Sequence, residues 1–327
     1  MSPAPVRLGT RRSPMATSQS QRVADAVTAT TGIPVELVLI TSFGDVTKAH
    51  LTQLGGTGVF VNALRDELVS GTIDVAVHSL KDLPTTPADG LGLVAITERD
   101  DPRDALCARD GRKFGDLPSG ARIGTGSPRR VAQLASLRPD LDYVPIRGNA
   151  DTRLGKVASG EVDAVVLAYA GLLRVGRADH ITDVFEPEQV LPAPGQGALA
   201  VECRTERAVP DDLGKLAAVD DARTRAAVTA ERVVLAELEA GCAAPVGAYA
   251  ECYDGRLRLR AAVVATDGSR AIHREGSVRT DGGDTGDPAD ANAAADLGRQ
   301  LAREMIEEGA DRIVADAGAQ GGAPRPE

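Results

Sequence analysis

Short apolar runs of strand length recur along this chain, and most are followed by a stretch with helical spacing. "VELVLI" (Val35–Ile40), "IDVAVH" (Ile73–His78) and "LGLVAI" (Leu91–Ile96) come first. "ARIGTG" (Ala121–Gly126), "LDYVPI" (Leu141–Ile146) and "VDAVVLA" (Val162–Ala168) repeat the theme. Helices are expected at Gln19–Thr30, Val59–Ser70, Pro128–Leu137 and Thr152–Ser159. Continuous runs rich in β-branched residues are expected to be strands buried on both faces, and their alternation with helices defines an α/β protein. A chain of 327 residues has room for two or three such domains.

Two segments resemble each other. "LGTRRSPMA" (Leu8–Ala16) and "IGTGSPRRVAQL" (Ile123–Leu134) both run strand, Gly-Thr, Ser-Pro, helix. Ser suits a helix N-cap and Pro the first helical position. Two similar lobes are therefore expected, with 1–99 and 195–217 in the first and 103–193 in the second. "ERDDPRDAL" (Glu98–Leu106) crosses between them and "LPAPGQGALAVECR" (Leu191–Arg204) crosses back. Two crossings imply a hinged cleft, where small ligands bind. Residues 220–316 differ: a helix at Arg223–Gly241, an alternating strand at Arg256–Ala265 with one polar face, and an amphipathic helix at Ala293–Gly309. They read as a small α+β domain with a one-sided sheet. The segment 317–327 reads as a disordered tail.

The net charge of −10 opposes nucleic-acid binding and would repel an anionic ligand unless cations gather locally. They do gather. Arg129 and Arg130 open a predicted helix, where the helix dipole disfavours them, and Arg11 precedes another helix start. Arg147, Arg153 and Arg174 follow strand ends. An anion at those helix termini would account for the placement, and Arg forks carboxylates. A polycarboxylate or phosphate is expected; no G-x-x-x-x-G-K-[ST] loop is present. The four cysteines are scattered, which favours neither a disulfide framework nor a metal site. Without a leader pattern or an apolar run of membrane length, the chain reads as cytoplasmic, with no membrane partner. No large exposed apolar face is evident, so a monomer is expected.

The strand at Ile73–Val77 should be central, with Lys81 and Asp82 at its ligand-facing end. A carboxylate among arginines stays ionised and could stabilise a developing cation or move a proton, or it could simply cap a turn. His78 reads as a packing or hydrogen-bonded histidine rather than a catalyst. Cys242, in "LEAGCAAPVGA", is either a small buried hydrophobe or a residue that something large approaches beside Gly241.

Taken together, "TRRSPMA", "GTGVF", "VAVHSLKDLP", "GTGSPRR", "IRGNADTRL", "PAPGQGALAVECR" and "LEAGCAAPVGAYA" resemble the hydroxymethylbilane synthase (porphobilinogen deaminase) family over about residues 6–315. The resemblance implies two periplasmic-binding-protein-like (type II) lobes around a cleft plus a small C-terminal α+β domain. It implies a transferase that joins four porphobilinogens head to tail into hydroxymethylbilane, releasing four ammonias, on a dipyrromethane cofactor. By motif match the cofactor is a thioether on Cys242 and the catalytic residue is Asp82, which would stabilise the azafulvenium cation left by ammonia loss. Lys81, Thr125, Ser127, Arg129, Arg130, Arg147 and Gly148 would surround the cofactor. Arg11, Ser13, Phe60, Arg153, Arg174 and Gln196 would meet substrate; no metal is implied. The family often has Lys where Thr57 stands in "GGTGVF", and "GTGSPRR" carries Gly126 and Pro128 where other members vary. The competing expectation is a non-catalytic cytoplasmic two-lobe anion-binding protein, which would share the arginines but need neither Cys242 nor the third domain.

Overall fold

The computed structural model describes residues 5–40, 58–205, 211–241, 243–280 and 288–320. They form two compact units. The first takes the described residues up to Asp100 and Gly197–Arg225; the second takes Asp101–Gln196 and those from Ala226 onward.

In the first unit β1 (Val6–Arg11) is followed by α1 (Pro14–Thr31), β2 (Val35–Ile40), α2 (Gly58–Ser70), β3 (Val75–Ser79) and β4 (Leu91–Ile96). Ser13 caps α1, accepting from Ala16 N–H at 3.3 Å, and Pro14 supplies its first turn. The helix thus starts five residues before the expected Gln19. It ends at Gly32, whose positive φ of 72° lets its N–H reach the Thr28 carbonyl. Val6, Leu8, Val75 and Val77 pack on Val23 and Val27 of α1. On the other face Ile40, Ile73 and Ala76 pack on Leu64 and Leu68 of α2. Helices on both faces explain why the central strand β3 is buried from Val75 to His78.

The second unit repeats this plan with β5 (Asp104–Ala108), β6 (Arg122–Thr125), α3 (Pro128–Leu137), β7 (Asp142–Pro145), α4 (Ala150–Ala158), β8 (Ala164–Ala168), α5 (Tyr169–Arg174) and β9 (Asp183–Phe185). The segment expected only to cross back supplies β10 (Leu199–Arg204) to the first unit, as the outward crossing supplies β5 to the second. The sheet orders are β2-β1-β3-β10-β4 and β7-β6-β8-β5-β9. In each, three parallel strands are followed by one antiparallel crossing strand and an outer strand. The two-lobed α/β expectation holds, and the resemblance between "GTRRSPMA" and "GTGSPRR" is a resemblance between equivalent β–α corners.

The third sheet is an antiparallel meander, β11 (Val246–Tyr253), β12 (Arg256–Val264) and β13 (Ala271–Arg279). It packs against α6 (Ala222–Glu237), α7 (Pro288–Glu307) and α8 (Ala310–Gln320) through Leu257, Leu259, Val234, Leu301 and Ile313. The small α+β domain is as expected, but its sheet is not one-sided along its whole length. Ala262 and Val264 of β12 are buried against Ala132 of α3 and Leu191. Residues 317–320, assigned by composition to a disordered tail, complete α8. Among the described residues, no helix is long and apolar enough to cross a membrane.

Candidate active site

Parallel neighbours end at one sheet edge, so whatever follows them is brought together. In the first unit β1 and β3 pair with Leu8 opposite Val75. Arg11 closes β1 and Ser13 follows it; β3 runs into the tight turn Leu80–Asp82. Gln19 of α1 donates to Ser79 Oγ at 3.0 Å and ties the two corners. Leu80 and Leu83 are buried, and Leu83 N–H closes the turn on the Leu80 carbonyl at 3.1 Å. Lys81 and Asp82, between these two plugs, are held half-buried at the edge. A backbone bond closes the turn, so the fold does not require Asp82 for that purpose.

His78 points elsewhere. Its Nε2 lies 3.2 Å from Glu202 Oε2 on β10, and Arg65 of α2 donates to the same carboxylate at 2.8 Å. Burial pushes Glu202 up, but His78 and Arg65 pull it further down, and it lies below the usual carboxylate range. His78 is thus buried inside the lobe against Glu202, in keeping with a packing or hydrogen-bonded histidine.

In the second unit the edge is formed by β6, β7 and β8, with Thr125 opposite Pro145. Thr125 is buried and its Oγ1 accepts from Ser127 N–H at 3.3 Å; Ser127 caps α3. Gly126 is required by close approach, since a Cβ there would stand 2.8 Å from the Ile146 carbonyl oxygen. Arg147 and Gly148 are exposed in the next corner, Gly148 with φ 110°. Asn149 caps α4, and Arg153 returns to donate to the Gly148 carbonyl at 2.8 Å. Arg174 ends α5, half-buried, one short helix beyond β8.

Arg129 and Arg130 are only 3% and 6% exposed. Both reach Asp104, the first residue of β5, which is fully buried. Because β5 is antiparallel to β8, with Asp104 opposite Ala168, its beginning lies where the parallel strands end. Arg129 Nη2 meets Asp104 Oδ2 at 2.8 Å, and Arg130 Nη2 meets Oδ1 at 2.7 Å. Gln196, also buried, donates to the same Oδ1 at 2.8 Å and to the Pro102 carbonyl at 2.7 Å. Burial raises the carboxyl's proton affinity, but the two guanidiniums more than reverse this and hold Asp104 far below the carboxylate range. Burial pulls the Arg129 and Arg153 guanidiniums down, and Arg130 adds to it. Two guanidiniums on one carboxylate leave a net positive charge, and Arg129 Nε is buried without a hydrogen-bond partner. Cations in that state gain most from an arriving carboxylate. Sequence reasoning missed Asp104; the available signal was an acid opening the apolar strand "DALCA".

The third domain reaches this cluster. Ala248 N–H of β11 bonds the Pro192 carbonyl at 3.0 Å, while Arg129 Nη1 donates to the adjoining Leu191 carbonyl at 2.6 Å. β11 begins four residues after Cys242. Cys242 itself, Thr57 and the side chain of Phe60 lie outside the described residues. Glu231 of α6, fully buried, accepts from Gly195 N–H at 2.7 Å and Ala250 N–H at 2.8 Å.

By fold, then, this is a two-lobed α/β protein with a third α+β domain and with cations gathered at strand ends. Residues 6–210 match the family model described as "Porphobilinogen deaminase, dipyromethane cofactor binding domain", and 225–307 match the porphobilinogen deaminase C-terminal domain. The chain belongs to the porphobilinogen deaminase family. It is 72% identical to the porphobilinogen deaminase of Thermobifida fusca, covering 98% of each chain. It is 55% identical to porphobilinogen deaminase 1 of Streptomyces coelicolor, covering 95% of this chain and 98% of that one. Among solved structures, a periplasmic substrate-binding protein of an ABC transporter from Coxiella burnetii aligns at 14% identity and TM-score 0.43, covering 65% of this chain and 91% of that one. The residues present fit the family's cofactor: a dipyrromethane carries carboxylates on both rings, and the second unit's edge holds a surplus of guanidiniums.

Proposed function

We propose that this chain is a cytoplasmic, monomeric porphobilinogen deaminase, joining four porphobilinogens head to tail into hydroxymethylbilane with loss of four ammonias. The surplus of guanidinium charge around Asp104 carries the reading: a protein of net charge −10 gathers cations where a polycarboxylate would sit. Arg129, Arg130, Arg147 and Arg153 hold ring carboxylates, aided by Lys81 and by the Thr125, Ser127 and Gly148 corners. When bound, the dipyrromethane supplies the nucleophilic pyrrole carbon from which the product grows. Cys242 anchors it. Cys107 and Cys203 are poorer candidates, because burial pushes the Cys107 thiol up to about 12 and raises that of Cys203. Loss of ammonia from porphobilinogen leaves a cation, which the Asp82 carboxylate stabilises before accepting the displaced ring proton. Arg11, Ser13, Phe60 and Arg174 orient the incoming ring. Gln196 acts through Asp104, since its amide N–H groups are already directed to Asp104 and Pro102.

The intact mass of the denatured protein tests this. A gain of two porphobilinogens less two ammonias is expected, and Cys242→Ser should lack it. An adduct retained in Cys242→Ser would move the anchor. An unmodified wild-type mass that stays unmodified after incubation with porphobilinogen would favour the non-catalytic anion-binding reading.

A further inference from the structure

We infer that Asp104 is a positioning residue for the carboxylate site: it holds the Arg129 and Arg130 guanidiniums side by side and sets the charge an incoming carboxylate meets. The inference rests on the function proposed above.

Two guanidiniums in the first turn of α3 face three penalties together. They are buried, they repel each other, and the helix N-terminus opposes cations. A single carboxylate offsets all three. Asp104 Oδ2 takes Arg129 Nη2, and Oδ1 takes Nε (3.1 Å) and Nη2 (2.7 Å) of Arg130. Arg130 Nη1 then reaches the Val166 carbonyl at 3.0 Å, and Arg129 Nη1 the Leu191 carbonyl at 2.6 Å. Each guanidinium is clamped on two sides, which fixes its plane. The donor left over is Arg129 Nε. With two carboxylates the cluster would be neutral and attract nothing; with none, nothing would hold the two cations together.

Location separates this from a plain structural ion pair. Asp104 opens β5 at the edge where Thr125, Ser127 and the Gly148 corner emerge. Its donors, Arg129, Arg130 and Gln196, are all residues the family motifs point to.

The test uses full-length protein with Asp104→Asn and Asp104→Glu. Asn keeps the shape and one acceptor but removes the charge; Glu keeps the charge and shifts it. Three quantities are read: the cofactor-loaded fraction by intact mass, KM against kcat for porphobilinogen, and thermal unfolding. Loss of one charge-assisted contact predicts, for Asp104→Asn, a smaller loaded fraction and a KM raised roughly tenfold or more, with kcat changed less. Asp104→Glu should recover part of both. An Asn variant that melts lower yet is fully loaded, with KM within about twofold of wild type, would make Asp104 a fold brace and overturn the inference. Failure of both variants to fold overturns it too, since a positioning residue must leave the fold standing. A wild-type protein that shows neither adduct nor turnover would instead sink the proposed function, before any variant is compared.

Discussion

Each lobe buries one carboxylate on its antiparallel crossing strand, and the two are used differently. Glu202 sits in the middle of β10, opposite Ala76, and meets Arg65 and His78 inside the lobe. Asp104 is the first residue of β5, at the edge where the parallel strands end, and meets two arginines from the corner that follows β6. The topology is the same; the position along the strand is not. A buried charge in mid-strand can serve only the interior, whereas one at the strand's end can organise whatever binds there. The edges also differ in what they present. The first lobe sets a carboxylate, Asp82, beside Lys81 on its turn, while the second presents a surplus of guanidiniums.

That division of labour is broken most severely at Asp82. Asp82→Ala should keep the fold, because the side chain is half-buried and a backbone bond closes its turn. Turnover should fall by roughly 10²–10³-fold, the usual cost of removing one preorganised electrostatic partner of a transition state. Steady-state kinetics on folded protein decides it. Turnover near wild type would mean that the first lobe's edge holds no catalytic carboxylate.

Acid should tell the two buried carboxylates apart. Glu202 is depressed in the folded state, so its contribution is present above the unfolded carboxylate value of about 4.3 and is lost as pH falls through the lower folded value. Asp104 is held farther down and keeps its contribution to lower pH. The first lobe should therefore weaken before the second. Glu202→Gln leaves Arg65 and His78 facing a neutral amide and should begin about 1–3 kcal/mol less stable near neutrality. The gap to wild type should narrow on acidification, because wild type loses what the variant never had. Denaturant unfolding at a series of pH values reaching well below the unfolded value of about 4.3 measures it; a gap that stays constant throughout that range would remove Glu202 from the acid response.

Much of this was legible in the chain. Val35–Ile40 and Leu91–Ile96 are β2 and β4 residue for residue, because each short run of mostly β-branched and other apolar residues is bounded by polar or turn-forming residues. β5 and β10 were hidden inside "ERDDPRDAL" and "PAPGQGALAVECR", where Pro, Gly and charge outweigh a short apolar stretch. The first turns of α1 were hidden for a different reason: "PMATSQSQR" is mostly polar, and its cap carries the start. At the site, Arg129 and Arg130 stood out as cations placed against a helix dipole. Their partner did not, because Asp104 reaches them through the pairing of β5 with β8, strands about sixty residues apart in sequence, which no local pattern reveals. The double burial of Ala262 and Val264 was invisible on the same ground, being imposed by Ala132 and Leu191 of another domain.

The smallest expected effect is the sharpest check that the two corners are equivalent. Ser13 and Ser127 each cap the helix after the first parallel strand of their lobe, accepting from the N–H three residues on at 3.3 and 3.5 Å. Each is followed by Pro at the first helical position. Nothing in either cap bond favours one corner, so Ser13→Ala and Ser127→Ala should each lower stability by about 0.5–1 kcal/mol. Their difference should stay within about 0.5 kcal/mol, and the double variant should be additive for sites that share no partner. Urea titration of the two single variants and the double variant measures all three quantities. A much larger loss at Ser127 would show that its cap also supports the Asp104 cluster, through Arg130, whose N–H is the donor to Ser127 and whose guanidinium is clamped by Asp104. The corners would then share a shape but not a role, and the difference between the two edges would extend to the helix caps that hold them.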